Sequence, residues 1–181
     1  MLFGTQNQRV KPRLEVLRGF DPTQPNTLTH TAPVHTGVTI KSGQAIVLVA
    51  DDDHPSDPGR DSWTLADYDT SAHRTADIYI ALQDSADEDV VGADGLTGYN
   101  TAGEFEFESG YFDSASYATG QTLLTISTTA GNLATTTIGS GKPIIGKISR
   151  RSPKDISGVN SNVPAGTTVI VWRTGLVPNP A

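Results

Sequence analysis

Glu104-Phe105-Glu106-Phe107-Glu108 alternates carboxylates and aromatic rings without a break. A period of two belongs to a β-strand, whose successive side chains point to opposite faces. The phenylalanines on one side and the glutamates on the other predict a half-buried antiparallel strand. The glutamates would lie on the wet face of an edge or outer strand, where charge also discourages edge-to-edge aggregation. On the C-terminal side, short apolar runs separated by Gly, Pro, Asn and Ser predict strands at Leu123–Ser127, Leu133–Ile138, Lys142–Ser149 and Thr167–Thr174. On the N-terminal side the same reasoning predicts Val38–Lys41, a turn at Ser42-Gly43, a largely buried strand over Gln44–Ala50, and Asp77–Gln83 with its β-branched and aromatic residues. Trp63–Ala76 reads either as strand or as helical turn. About eight closely spaced strands and no long helix make the body all-β, a small barrel or sandwich.

Residues 1–36 read differently. Pro12, Pro22, Pro25 and Pro33 stand among many Thr and Asn, and prolines at that density block helices and central strands. The expectation is an extended N-terminal arm over 1–36 and a β body with an extended tail over 37–181. Within the arm, Leu14-Glu15-Val16-Leu17 is the segment able to pair as a strand, by adding to the sheet edge of a neighbour.

Composition narrows the function. The 181 residues include no cysteine, one methionine, and histidines only at 30, 35, 54 and 73, which excludes a disulfide scaffold and thiolate metal sites. Hydrophobic residues make up 36%, with 18 Gly and 11 Pro. A small core rich in turns is commonly completed by oligomerisation or by docking. The N-terminus has no apolar signal-peptide core and no segment is long and apolar enough for a membrane span, so a soluble chain without membrane contact is expected. The net charge of −7 is unevenly spread. Arg9, Lys11, Arg13 and Arg18 face Glu15 in the arm, 17 acidic residues face Arg60 and Arg74 between Asp51 and Asp113, and Lys142–Asp155 is basic again. The acidic middle argues against nucleic-acid binding by the body, since phosphate neutralisation needs Lys and Arg.

Groups that could carry chemistry fit a structural reading better. Asp51, Asp52, Asp53, His54, Asp57 and Asp61 could hold a hard cation or, through the histidine, a transition metal, but the spacing matches no EF-hand loop. Neighbouring Asp side chains on an extended chain diverge, so a solvated loop is expected, and no metal or cofactor. Asp84, Asp87, Glu88, Asp89 and Asp94 form a second acidic loop suited to a basic partner, such as the arm of a neighbouring copy. Glu104, Glu106 and Glu108 stand roughly 7 Å apart, a separation compatible with glycoside hydrolysis, but as a strand's wet face they need no catalytic role. Gly139-Ser140-Gly141-Lys142 fails as a phosphate loop because Pro143 and a strand follow it. Trp63 and Trp172 read as core residues rather than stacking platforms.

The order of segments resembles head decoration (capsid cement) proteins of tailed bacteriophages. The resemblance is carried by Ile40-Lys41-Ser42-Gly43-Gln44, Tyr79-Ile80-Ala81-Leu82-Gln83-Asp84, Asp89-Val90-Val91, Leu96-Thr97-Gly98 and Ala102-Gly103-Glu104-Phe105-Glu106. Tyr111-Phe112, Tyr117 to Leu123, Gly131-Asn132-Leu133, Ile144-Ile145-Gly146-Lys147-Ile148 and Val169-Ile170-Val171-Trp172 continue it, over roughly residues 38–177. It implies a β-tulip-like body on the outer surface of a virion capsid, a homotrimer clamping neighbouring major capsid proteins, and no catalytic residues. Such proteins commonly dock through an N-terminal arm, which puts Leu2, Phe3, Arg9, Lys11, Arg13, Leu14, Val16, Leu17 and Arg18 at the capsid interface. The arm here is longer and richer in proline than the family's. Two other classes remain open: a glycan- or receptor-binding β-domain of a phage tail fibre or cell surface, using Trp63, Tyr68 and the acidic loops, and a metal enzyme built on Asp51–His54.

Overall fold

The computed structural model describes residues 15–18, 29–86, 95–102, 106–113, 120–149 and 170–174. Among these the strands are β1 (Glu15–Arg18), β2 (Thr29–Ala32), β3 (Ala45–Asp51), β4 (Arg60–Leu65), β5 (Tyr79–Ala81), β6 (Leu96–Asn100), β7 (Glu106–Ser109), β8 (Leu123–Ile126), β9 (Leu133–Thr136), β10 (Gly146–Ile148) and β11 (Ile170–Arg173), with one 3₁₀ turn at Ser71–Arg74. They form two antiparallel sheets, not a closed barrel. Sheet A runs β1-β7-β11-β10-β8-β9, and sheet B runs β2-β6-β5-β3-β4. The all-β expectation holds, and of its two versions the barrel is the one to drop.

The main core lies between the sheets. Sheet B contributes Ala45, Val47 and Ile80, and sheet A contributes Phe107, Leu124, Ile126, Leu133, Ile148, Ile170 and Trp172. Burial of each large apolar side chain stabilises by roughly 1.5–3 kcal/mol. Backbone hydrogen bonds tie one sheet to the other where their turns meet: Ala45 N–H donates to Gly131 O at 2.9 Å, Gly131 N–H to Ala66 O at 2.8 Å, and Tyr68 N–H to Ser127 O at 2.9 Å.

Sheet B is also buried on its far face. Ile46 alternates with Ala45 and Val47 and joins Ala32, Ile40, Trp63, Ala81 and Leu96 in a second cluster. A strand buried on both faces reads as one apolar run, as Ala45–Val49 does. The segment expected as a strand at Val38–Lys41 is instead irregular cover for this cluster. Ile40 is fully buried, and its backbone pairs with Ser85.

Two strands precede residue 37, so the expected boundary at 36 does not separate an arm from the sheets. β1 pairs with β7, matching Val16 with Phe107 and Arg18 with Glu106. β2 pairs with β6 over Thr29–Ala32. The chain after β2 then crosses to the opposite edge of sheet B. Val34 makes a parallel bridge to Trp63, with Trp63 N–H donating to Pro33 O at 2.8 Å and His35 N–H to Trp63 O at 2.9 Å. One bridge therefore links the two edges of sheet B and curls it over the second cluster.

Candidate functional site

Of the residues expected at a partner interface, Leu2, Phe3, Arg9, Lys11, Arg13 and Leu14 lie outside the described residues. Val16, Leu17 and Arg18 fall in β1, at one end of sheet A. One side of the β1 backbone is used by β7 of the same chain.

The first acidic cluster does not converge. It forms the turn of the β3–β4 hairpin, and Asp51 turns inward while Asp52, Asp53, Asp57 and Asp61 are exposed. The fully buried Asp51 carboxylate accepts from Thr36 N–H at 2.8 Å, Thr36 Oγ1 at 3.0 Å and Asp53 N–H at 3.1 Å, with His35 Nε2 3.6 Å away. Burial pushes this acid up, but the Thr36 hydrogen bonds and the His35 charge outweigh it and hold it below the usual Asp range. Asp51 is thus a fastener between the hairpin and the 35–36 segment. His54 Nδ1 accepts from Asp57 N–H at 3.1 Å. No group of three or more His, Cys, Asp or Glu suited to a metal occurs among the described residues.

In the second cluster, Asp84 caps a turn. It accepts from Ser42 N–H at 2.8 Å and meets Lys41 Nζ at 3.2 Å. Asp87, Glu88, Asp89 and Asp94 lie outside the described residues.

The alternating glutamates need a correction. β7 is an interior strand between β1 and β11, not an edge. Glu106 is 5% exposed and accepts from Ser149 Oγ at 3.0 Å, so it is not on a wet face. Phe107 is fully buried, as expected, against Trp172 at 5.1 Å between ring centroids. Glu104 lies outside the described residues. Both tryptophans are fully buried. Trp63 packs on Tyr79 at 4.9 Å and His30 at 5.6 Å, and its Nε1–H donates to Leu96 O at 2.7 Å. Its ring offers no face to a ligand, which removes it as a sugar-stacking platform.

A polar loop after β4 gathers several ionisable groups. Arg74 stands 4.5 Å and Lys142 Nζ 4.6 Å from the Tyr68 ring centre, both within cation–π range. His73 is buried, and its Nδ1 accepts from Asp67 N–H at 3.1 Å, which requires that nitrogen to be unprotonated. Burial pushes the His73 imidazole below its ordinary value, with the Asp67 charge opposing. A histidine whose folded-state pKa is depressed contributes stability that is fully present above its unfolded value of 6.5 and is lost as pH falls from there through the lower folded-state value. The urea midpoint is therefore expected to drop between pH 7.5 and pH 5. In His73→Gln the part of the drop centred near the histidine range should disappear. An unchanged pH profile in that variant would count against this assignment.

The β9 end of sheet A carries a feature that motif reading missed. β9 is the outermost strand. Beside it runs a groove of about 720 Å³ along the β8–β9 hairpin, lined by Leu123, Thr135, Thr136, Ile138, Ser140 and Lys142 among others. Ile138, just past β9, is 64% exposed, the one large hydrophobic side chain so exposed among the described residues. Gly139-Ser140-Gly141 forms the tight turn that follows, with Ser140 Oγ 2.8 Å from Thr136 Oγ1. The legible signal was an absence: residues 114–141, 28 in a row, contain no Asp, Glu, Lys, Arg or His in a chain that is 18% charged. Comparison with known proteins returns no matching family model, no similar curated protein and no similar solved structure.

Proposed function

We propose that this chain is a structural protein that decorates the outside of a tailed-phage capsid and cements neighbouring major capsid proteins, self-associating as a trimer. The observation that supports this reading best is β1. A strand from the basic N-terminal segment adds to the end of sheet A by backbone pairing with β7. Strand addition of this kind draws its affinity from main-chain hydrogen bonds, so a segment that can fasten to its own sheet has the chemistry to fasten to another's. The resemblance in segment order and the separation of basic and acidic segments support the same reading. Repetition over a capsid lattice turns weak contacts into firm attachment.

Because β1 belongs to sheet A, the informative truncation stops before it. Deleting residues 1–14 is expected to leave cooperative unfolding in place and to weaken binding to purified capsids at least about tenfold by loss of multivalent docking. Full binding by the truncated chain would sink the arm's role. Quantitative mass spectrometry of purified particles tests the reading as a whole. About one copy per major capsid protein is expected of a lattice-wide fastener. A few per cent would move the protein to the tail, and absence from particles would overturn a virion role.

A further inference from the structure

We propose that residues 36–42 form a strap that opens as a unit when Asp51 takes up a proton, uncovering the second apolar cluster while the two sheets stay closed on each other. The strap lies in no strand, and its fastening differs from that of the strands beside it. In a sheet, amides are held by the backbone of a neighbouring strand. In the strap, four amides are held by side chains. Thr36 N–H donates to the Asp51 carboxylate at 2.8 Å, Ile40 N–H to Ser85 Oγ at 3.0 Å, Lys41 N–H to Gln44 Oε1 at 2.7 Å and Ser42 N–H to the Asp84 carboxylate at 2.8 Å. A carboxylate thus pins each end, and Ser85 N–H donates back to Ile40 O at 2.8 Å in the middle. What the strap covers is separate from the main core. Ile40 and Val38 pack with Ile46, Trp63 and Leu96, whereas Phe107 and Trp172 fill the space between the sheets. When the strap lifts, the Val34–Trp63 bridge holds the chain before it and β3 holds the chain after it. Opening breaks side-chain hydrogen bonds and the burial of Ile40 but no strand ladder, so it costs less than global unfolding.

Asp51 is the end that answers to acid. Its buried carboxylate takes both the N–H and the Oγ1–H of Thr36, and such bonds are strong because the acceptor is ionised. The charged groups around it are His35 at 3.6 Å, Arg60 across the β3–β4 pair and Asp53, whose amide it accepts. The acid sits below its ordinary value of 3.8, so its hold on the strap is full above 3.8 and is lost as pH falls through the lower folded-state value. That window lies beneath the histidine range, which separates strap release from the effect of His73. The far end is held twice, since Asp84 also meets Lys41 Nζ at 3.2 Å. This inference does not rest on the capsid reading.

Hydrogen exchange of the full chain, read by NMR, tests it. At pH 7 the amides of Thr36, Ile40 and Ser42 should be protected at least about tenfold less than those of β8. From pH 5 to pH 3, after correction for intrinsic exchange rates, Thr36 and Ile40 should lose further protection relative to β8. Asp51→Asn keeps the shape of the side chain but not its charge. It should loosen the strap at pH 7, leave β8 unchanged and abolish the extra loss in acid. Ser85→Ala removes the central acceptor without touching a charge, and carries the test if Asp51→Asn fails to fold. It should loosen the strap while the acid response remains. Strap amides that exchange in step with β8 under all these conditions overturn the proposal, as does an acid response that persists in Asp51→Asn.

Discussion

Trp63→Ala is expected to destabilise the protein by about 4 kcal/mol, within the range for deleting a buried large aromatic. For a domain of this size that corresponds to a Tm lower by roughly 10 °C. Trp63 is fully buried and sits at the centre of the second cluster. Its ring contacts Tyr79 and His30, its backbone holds the bridge to Val34, and its indole N–H satisfies Leu96 O on another strand. Truncation would leave a cavity that the curled sheet cannot collapse around, because both of its edges are tied. Trp63→Phe separates the parts of this effect. It keeps an aromatic ring but removes the indole N–H donor to Leu96 O and part of the buried ring volume, and should cost about 1–3 kcal/mol. Urea denaturation of the two variants checks both figures. A loss under about 1 kcal/mol in Trp63→Ala would contradict an interior role.

Gly95→Ala should also be severely damaging, at about 3 kcal/mol or more. Gly95 has φ +125, where side chains are strained. A Cβ there would lie 2.2 Å from Ala32 O, 2.4 Å from Ala32 C and 2.8 Å from Pro33 N. These are backbone atoms at the point where the chain leaves β2 for the other edge of sheet B, so no rotamer change relieves the overlap. β2 would have to separate from β6. Gly37→Ala is the control. Its φ is +78 with no atom within 4 Å of the added carbon, so it should show only the backbone strain, on the order of 1 kcal/mol. Similar losses in the two variants would refute the close approach. Hydrogen exchange should show faster opening of Thr29–Ala32 in Gly95→Ala alone.

How legible each element was depends on what its side chains pack against. β3 and β8 were readable because both present apolar residues to the core between the sheets. β6, Leu-Thr-Gly-Tyr-Asn, gives no clear strand signal. Its Gly98 looks like a breaker, yet a Cβ there would meet Tyr79 Cβ at 3.0 Å and Trp63 Cζ2 at 3.3 Å, so the glycine marks close packing rather than a turn. β2, Thr-His-Thr-Ala, has no apolar alternation because its pairing with β6 is largely backbone work at a sheet edge. Val38–Lys41 carries strand-forming residues but spends them covering Trp63. At Glu106 the period was read correctly and the environment was not, since alternation shows that two faces differ and not that one is wet. The groove along β8 and β9 escaped notice because motif reading looks for clusters of charged groups, and Lys142 is the charged residue in its lining.

The position of β7 has a consequence during synthesis. Its neighbours in sheet A are β1, already made when β7 appears, and β11, made about 60 residues later. At ordinary translation rates that gap lasts roughly 3–12 s. For that interval one side of β7 has no partner, and Phe107 lacks the Trp172 ring that will later pack on it. Nascent chains on one message are close together, and an unpaired strand holding a phenylalanine invites pairing between them. Glu106 and Glu108 flank that phenylalanine with like charges. The carboxylate that ends buried against Ser149 thus has an earlier use, keeping unfinished copies apart until the last strand arrives.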